Sequence, residues 1–224
     1  MLGTVIITAG GIGKRMGGTI PKQFLPLQGK PILLHTLENF HRYDSSLQLI
    51  ITLPSEWLSY WEELLLSHQC AIPHQVVIGG EERFHSIQLA LEHCRGAFVA
   101  VHDGVRPLVS HETIQRCFAA LDHSKSVIPV LALKDSLRFV DSTESKIADR
   151  TTFRLVHTPQ CFDATILKEA YQTSYQSGMT DDASVVERLG IHPYLVESNE
   201  ENIKITTNSD LFIADAFLQQ MNPS

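Results

Sequence analysis

Thr4-Val5-Ile6-Ile7-Thr8-Ala9-Gly10-Gly11-Ile12-Gly13-Lys14-Arg15-Met16-Gly17-Gly18-Thr19-Ile20-Pro21-Lys22 is the stretch on which the fold turns. An apolar run enters a glycine-rich turn directly, which reads as the first strand of an α/β sheet and the loop at its carboxyl end. Glycines let backbone N–H groups approach a phosphate closely, and Lys14, Arg15 and Lys22 add charge that backbone dipoles do not supply. The plain alternative is a strand-to-helix turn with solvated cations. Two well-known phosphate loops do not fit. In a Walker A loop Gly13-Lys14 would be followed by Ser or Thr and preceded by Gly at position 8, where Arg15 and Thr8 stand. A dinucleotide fingerprint needs a third glycine where Met16 stands.

Working outward, strand-like runs recur at Val5 to Thr8, Leu49 to Leu53, Gln75 to Ile78, Phe98 to His102 and Val127 to Val130. Amphipathic stretches separate them: one opened by Pro31 with Leu33, Leu37 and Phe40 on its apolar face, then Trp57 to Leu66, Ser86 to Cys94 and Thr113 to Leu121. This alternation predicts a mostly parallel sheet covered by helices on both faces, with ligands at the carboxyl ends of the strands. After Val130 the alternation stops. Ser136 to Val140 and Lys146 to Ala148 flank a polar turn and predict a β-hairpin arm, about 134–152, too small to stand alone. Arg154 to His157 and Asn202 to Thr206 read as further strands, Ile166 to Ser177 and Asp182 to Leu189 as helices, and a helix closes the chain after Asp210. Residues 1–224 are expected to form one domain carrying one arm, and the arm to pack on a second copy of the chain.

The 224 residues are 43% hydrophobic, enough for a substantial core, and no run approaches a membrane span. Met1-Leu2-Gly3 leads straight into the first strand, so a cytoplasmic protein is expected. Cys70, Cys94, Cys117 and Cys161 have no CxxC spacing and are expected to be reduced and buried. His157 and Cys161 are the nearest approach to a ligand pair and lack the further ligands zinc requires. The net charge of −7 argues against a nucleic-acid groove. An anionic ligand must then be captured by charge focused in a cleft.

Other segments carry candidate chemistry. Gly79-Gly80-Glu81-Glu82-Arg83 follows the third strand and precedes Ser86; it presents backbone groups to a base or ribose, or is simply an acid-rich helix N-terminus. His102-Asp103-Gly104-Val105-Arg106-Pro107 ends the fourth strand. Asp103 is placed to hold Mg²⁺ through water or to accept a ligand hydroxyl, and Arg106 to grip a phosphate; alternatively the two form an ion pair that fixes the turn.

With Asp149-Arg150, Thr158-Pro159-Gln160, Thr180-Asp181 and Asn202-Ile203-Lys204 following in order, the chain resembles the 2-C-methyl-D-erythritol 4-phosphate cytidylyltransferases of the non-mevalonate isoprenoid pathway. The resemblance covers nearly the whole sequence, and ribitol 5-phosphate cytidylyltransferases share most of its motifs. It implies a Rossmann-like nucleotidyltransferase fold, a homodimer exchanging the arm, CTP and 2-C-methyl-D-erythritol 4-phosphate as substrates, and Mg²⁺ as cofactor. Arg15 and Lys22 match the pair that stabilises charge at the α-phosphate, and Arg150 and Lys204 match residues that position the sugar phosphate. Ala9, Gly10, Gly11, Gly80, Glu81 and Ser86 match cytidine contacts; Asp103, Arg106, Ser136, Thr158 and Thr180 match the sugar-phosphate pocket. The sequence departs from the pattern at Glu81, where Asp is common, at Gly104-Val105, and in a short arm. An NAD-dependent oxidoreductase and a noncatalytic nucleotide sensor are the readings from other classes.

Overall fold

A computed structural model describes residues 3–11 and 20–221. Its elements, in order, are β1 (Gly3–Thr8), β2 (Pro26–Leu27), β3 (Lys30–Pro31), α1 (Ile32–Tyr43), β4 (Gln48–Leu53), α2 (Leu58–Ser67), β5 (Gln75–Ile78), α3 (Arg83–Leu91), β6 (Phe98–Asp103) and α4 (His111–Ala120). There follow β7 (Ser126–Ala132), β8 (Leu137–Val140), β9 (Ser145–Ala148), β10 (Arg154–Val156), β11 (Gln160–Asp163), α5 (Ala164–Ala170), α6 (Asp182–Val186), β12 (Tyr194–Glu197) and α7 (Asn208–Met221).

The main sheet runs β10-β7-β11-β6-β1-β4-β5, with β12 also on β7. Its centre is parallel: β1 pairs with β6 and β4, and β4 with β5. Of these, β1, β4 and β6 are buried on both faces, which is why they read as continuous apolar runs without strict alternation. Val5, Ile7, Leu49, Ile51 and Ala100 pack with Leu33, Leu37, Phe40, Trp61 and Ile114 from α1, α2 and α4. Ile6, Ile50, Val99 and Val101 point the other way, toward Ile87 and Ala90 of α3 and Leu167 and Ala170 of α5. A third cluster joins Leu27, Ile32 and Val105 to Ile205, Ala214 and Leu218, and so fastens α7 and the segment before it beside the strand ends.

The sheet is mostly parallel, as the sequence predicted, with two strands reversed. β11 is antiparallel to both β6 and β7, and β10 is antiparallel to β7. Gln160–Asp163 gave no strand signal, because a four-residue run bounded by Pro159 carries too little periodicity. Asn202 to Thr206, predicted as a strand, is not one; the last strand is Tyr194–Glu197, parallel to β7. Ile203 and Ile205 alternate with Lys204 as strand residues do. The segment makes a single sheet-like bond, Ile205 N–H to the Val105 carbonyl at 3.0 Å, so it is an extended tether with no ladder. β8 and β9 form the separate two-stranded arm that was predicted. The four cysteines are unpaired thiols; Cys94, Cys117 and Cys161 are buried and Cys70 is only partly so. Among the described residues no helix is long and apolar enough to cross a membrane.

Candidate active site

At the carboxyl ends of β1, β4, β5 and β6 lies a cleft of about 340 Å³. Its walls come from well-separated places in the sequence. Thr8, Ala9, Gly10 and Gly11 leave β1; Lys22 and Gln23 lie on a short 3-10 turn after Pro21; Gly80 to Arg83 and Ser86 surround the start of α3; Asp103 ends β6, facing Lys204.

The loop after β1 is pinned from both sides. Ala9 N–H donates to the Thr52 carbonyl at 3.0 Å, and the buried Gln23 side chain donates to the Ala9 carbonyl at 2.6 Å. The second bond carries the glycine loop to the turn bearing Lys22, so that residue's place follows from the strand end. Gly13, Lys14, Arg15 and Met16, like Met1 and Leu2, lie outside the described residues.

The loop after β5 is tied in the same manner. Gly79 N–H donates to the Leu53 carbonyl at 2.8 Å and Gly80 N–H to Ser86 Oγ at 3.1 Å, while Ser86 Oγ donates to the Glu82 carbonyl at 3.2 Å. A Cβ on Gly80 would come within 2.4 Å of His85 Cβ, so only glycine follows this path. A narrow shelf of backbone results, opposite Gly10 and Gly11.

Asp103 is the electrostatic centre of the cleft. Its Oδ2 lies 3.1 Å from Lys204 Nζ and 3.2 Å from Arg106 Nε, and Oδ1 lies 3.9 Å from Arg83 Nε. Burial alone would raise its pKa. Arg83, Lys204 and Arg106 overcome that and hold the carboxyl well below the usual carboxylate range, so Asp103 is an anion encircled by cations. Arg83 is gripped from behind, with Nη1 and Nη2 donating to the two oxygens of buried Asp182 at 2.9 and 2.6 Å. The Tyr171 hydroxyl donates to the same carboxylate at 2.6 Å. Burial opposes the charge on Arg83, but Asp182 and Asp103 outweigh it and raise its pKa.

Behind Asp103 buried polar groups bond to one another. Arg106 donates through Nη1 to the Asn202 carbonyl at 2.7 Å, and thereby positions the residue two before Lys204. Asp103 N–H donates to Thr158 Oγ1 at 3.1 Å, and Thr158 Oγ1 lies 3.0 Å from His102 Nδ1. Gly104 keeps the turn tight: a Cβ there would meet Leu33 Cδ1 at 2.9 Å and the Thr8 carbonyl at 3.0 Å.

Apart from Arg15, which lies outside the described residues, the candidates named from the sequence fall into three groups. Ala9, Gly10, Gly11, Lys22, Gly80, Glu81, Ser86, Asp103 and Lys204 share the cleft. Arg106 and Thr158 lie buried just behind it and shape the turn that carries Asp103. Thr180 lines a smaller hollow of about 210 Å³ beside Arg83, with Phe84 and Tyr171; Ser136 and Arg150 stand exposed on and beside the arm, Arg150 donating to the Lys134 carbonyl. Arg83 and Asp182 were given no role from sequence. Arg83 follows two glutamates at a helix start and looks like an ordinary surface cation there, and only tertiary contact reveals its partner. Among the described residues no three His, Cys, Asp or Glu side chains gather as a metal cluster.

Comparison with known proteins agrees with this geometry. The chain matches the family described as "IspD: 2-C-methyl-D-erythritol 4-phosphate cytidylyltransferase" over residues 4–220. It is 49% identical over 219 residues to the 2-C-methyl-D-erythritol 4-phosphate cytidylyltransferase of Bacteroides fragilis, covering 97% of this chain and 100% of that one. Its fold superimposes on the 4-diphosphocytidyl-2C-methyl-D-erythritol synthase of Anaerococcus prevotii with a TM-score of 0.82 at 25% identity, covering 96% and 95% of the two chains. For the 2-C-methyl-D-erythritol 4-phosphate cytidylyltransferase of Thermus thermophilus the TM-score is 0.78 at 30% identity, covering 98% and 100%. A glycine-walled cleft with a cation-ringed aspartate, on a chain matched from end to end, belongs to the 2-C-methyl-D-erythritol 4-phosphate cytidylyltransferase family, nucleotidyltransferases of isoprenoid precursor synthesis.

Proposed function

We propose that this cleft transfers the cytidylyl group of CTP to 2-C-methyl-D-erythritol 4-phosphate, giving 4-diphosphocytidyl-2-C-methyl-D-erythritol and pyrophosphate. The observation that carries the reading is a backbone shelf sharing one cleft with three cations: Gly10, Gly11 and Gly80 beside Lys22, Arg83 and Lys204. The sugar phosphate is a dianion near neutral pH and is itself the nucleophile, so no general base is needed. The work left to the protein is to bring two anions together in line and to stabilise charge growing at phosphorus. Arg15 and Lys22 take the α-phosphate. Lys204 takes the sugar phosphate, with Arg150 joining it, while Asp103, Ser136 and Thr180 complete that pocket and Arg106 and Thr158 support it from behind. Ala9, Gly10, Gly11, Gly80, Glu81 and Ser86 hold the cytidine, largely through backbone.

The residues fit a Mg²⁺ that arrives on the triphosphate, because such an ion asks for one or two carboxylates and takes its other ligands from phosphate and water. Asp103 would be that carboxylate, directly or through water; its Oδ1 lies 3.9 Å from Arg83 Nε, farther than Oδ2 lies from Lys204 or Arg106. When bound, the ion neutralises triphosphate charge.

Residues 1–224 are read as one catalytic domain, with the arm, about 134–152, packing on a second copy. Support comes from Phe139, Val140 and Ile147, which stand exposed on a two-stranded hairpin that buries little by itself. The deciding experiment is pyrophosphate release from CTP and Mg²⁺ with 2-C-methyl-D-erythritol 4-phosphate or ribitol 5-phosphate. Release with the first is expected; release with the second alone, or with neither, would overturn the assignment.

A further inference from the structure

His102 sits at the end of β6 and is fully buried, its ring edge-on to Phe40 at 4.9 Å. Both ring nitrogens have partners. Nε2 lies 3.0 Å from the Arg106 carbonyl, and Nδ1 lies 3.0 Å from Thr158 Oγ1. A carbonyl only accepts, so Nε2 carries the proton. A ring buried among apolar groups with no carboxylate bonded to it is neutral, which leaves Nδ1 bare and makes it an acceptor for the Thr158 hydroxyl. Thr158 Oγ1 in turn accepts Asp103 N–H at 3.1 Å. The result is a directional path: Asp103 N–H to Thr158, Thr158 O–H to His102, His102 Nε2–H to the Arg106 carbonyl.

We propose that His102 is a positioning residue for the transfer reaction: as the Nε2–H tautomer it clamps both ends of the Asp103–Arg106 turn and fixes Thr158, so that Asp103 is presented to Lys204 and Arg83. The imidazole touches no substrate. It closes a loop from β6 to the segment after β10 and back, in a region where a small shift of Asp103 would move every cation bonded to it. This rests on reading the Asp103–Lys204 side of the cleft as the sugar-phosphate site. The proton of the Thr158 hydroxyl is committed to His102, so Thr158 acts on that site through the position of Asp103.

Two measurements on the full-length protein test this. Nitrogen-15 NMR of uniformly labelled histidine, with the His102 signal identified by its loss in His102→Gln, reads the tautomer in the absence of any substrate. Nε2–H is expected, and Nδ1–H would overturn the proposal whatever the enzyme turns over. The second is a double-mutant cycle of His102→Gln and Thr158→Val, read as kcat/KM for the sugar phosphate, with CTP saturating and folding verified by circular dichroism. Each single change is expected to lose roughly 10-fold, and the pair also roughly 10-fold, because both break one path. Independent losses multiplying to about 100-fold would instead mean that Thr158 serves the substrate without His102. If His102→Gln does not fold, His102→Asn, which keeps an acceptor near the Nδ1 position, replaces it in the cycle. Should both fail, the NMR result on the unsubstituted protein decides, its resonance identified through the shift caused by Thr158→Val. A parent enzyme inactive on the sugar phosphate would defeat the substrate reading while leaving the tautomer result standing.

Discussion

The Lys204 ammonium lies 3.1 Å from Asp103 Oδ2, joining the end of a central strand to an extended tether late in the chain. The Lys204 side chain is still 45% exposed, whereas Asp103 is 10% exposed. Asp103 therefore holds a partly exposed cation at the cleft, and in the proposed reaction an incoming phosphate would find that cation already oriented. Pre-placed charge of this kind stabilises a transition state with little reorganisation.

Replacing Lys204 with Ala should lower kcat/KM for the sugar phosphate by about 10²–10³, the scale of losing one pre-placed electrostatic group. Steady-state pyrophosphate release with the sugar phosphate varied is the measurement. An unchanged value in a folded variant would remove Lys204 from the site.

Lys22→Ala should reduce turnover at saturating CTP by about the same ~10²–10³, since its role is assigned to charge at the α-phosphate. The fold should survive, because Lys22 sits on a short turn at the rim of the cleft. Near-normal turnover in single-turnover assays would contradict the role.

Asp182→Ala should destabilise the protein by about 3 kcal/mol, the lower end for breaking a buried pair, because Arg83 keeps some access to water. The cause is specific: Arg83 and Tyr171 would both lose their shared acceptor. Urea unfolding would measure it, and a loss below roughly 1 kcal/mol would place the pair among ordinary surface bridges.

Acid should weaken the fold well before the carboxylates titrate. Burial, with Arg106 nearby, pushes His157 down to about 4, and burial does the same to His102. In the unfolded chain each protonates near the ordinary 6.5, so between about pH 6.5 and 4 the unfolded state binds more protons. Stability is then full above that window and falls as pH drops through it, by up to about 1.4 kcal/mol per pH unit for each histidine. Urea midpoints at about pH 7 and about pH 5 test the sign, and His157→Gln should flatten the slope.

If the arm of one subunit serves the site of its partner, mixing inactive Arg150→Ala and Lys22→Ala proteins should restore activity. Half of randomly mixed dimers pair unlike subunits and each has one intact site of two, so about a quarter of the parent activity is expected. No recovery after subunit exchange, verified by native mass spectrometry, would count against a shared site.

Much of this was legible in the sequence, for identifiable reasons. The central parallel strands announce themselves because burial on both faces demands unbroken apolar runs, and the loop after β5 does so because a side chain at Gly80 would strike His85. The ordered motifs from Ala9 to Lys204 carried the family. The short strand Gln160–Asp163 did not show, and Asn202 to Thr206 misled, because local alternation is the same whether a segment joins a ladder or merely lies along a groove.

The sequence by itself determined the α/β architecture, the phosphate-directed chemistry and the residue types that carry it. Tertiary structure alone decided how charge is distributed among them. Asp103 becomes a fixed anion only because Arg83, Arg106 and Lys204 converge on it from a helix start, a turn and a distant tether. Arg83 becomes a member of the site only because buried Asp182 aims it there. Periodicity and motif spacing record what each segment needs locally. Coulomb energy and desolvation depend on distances through space, which no single segment encodes.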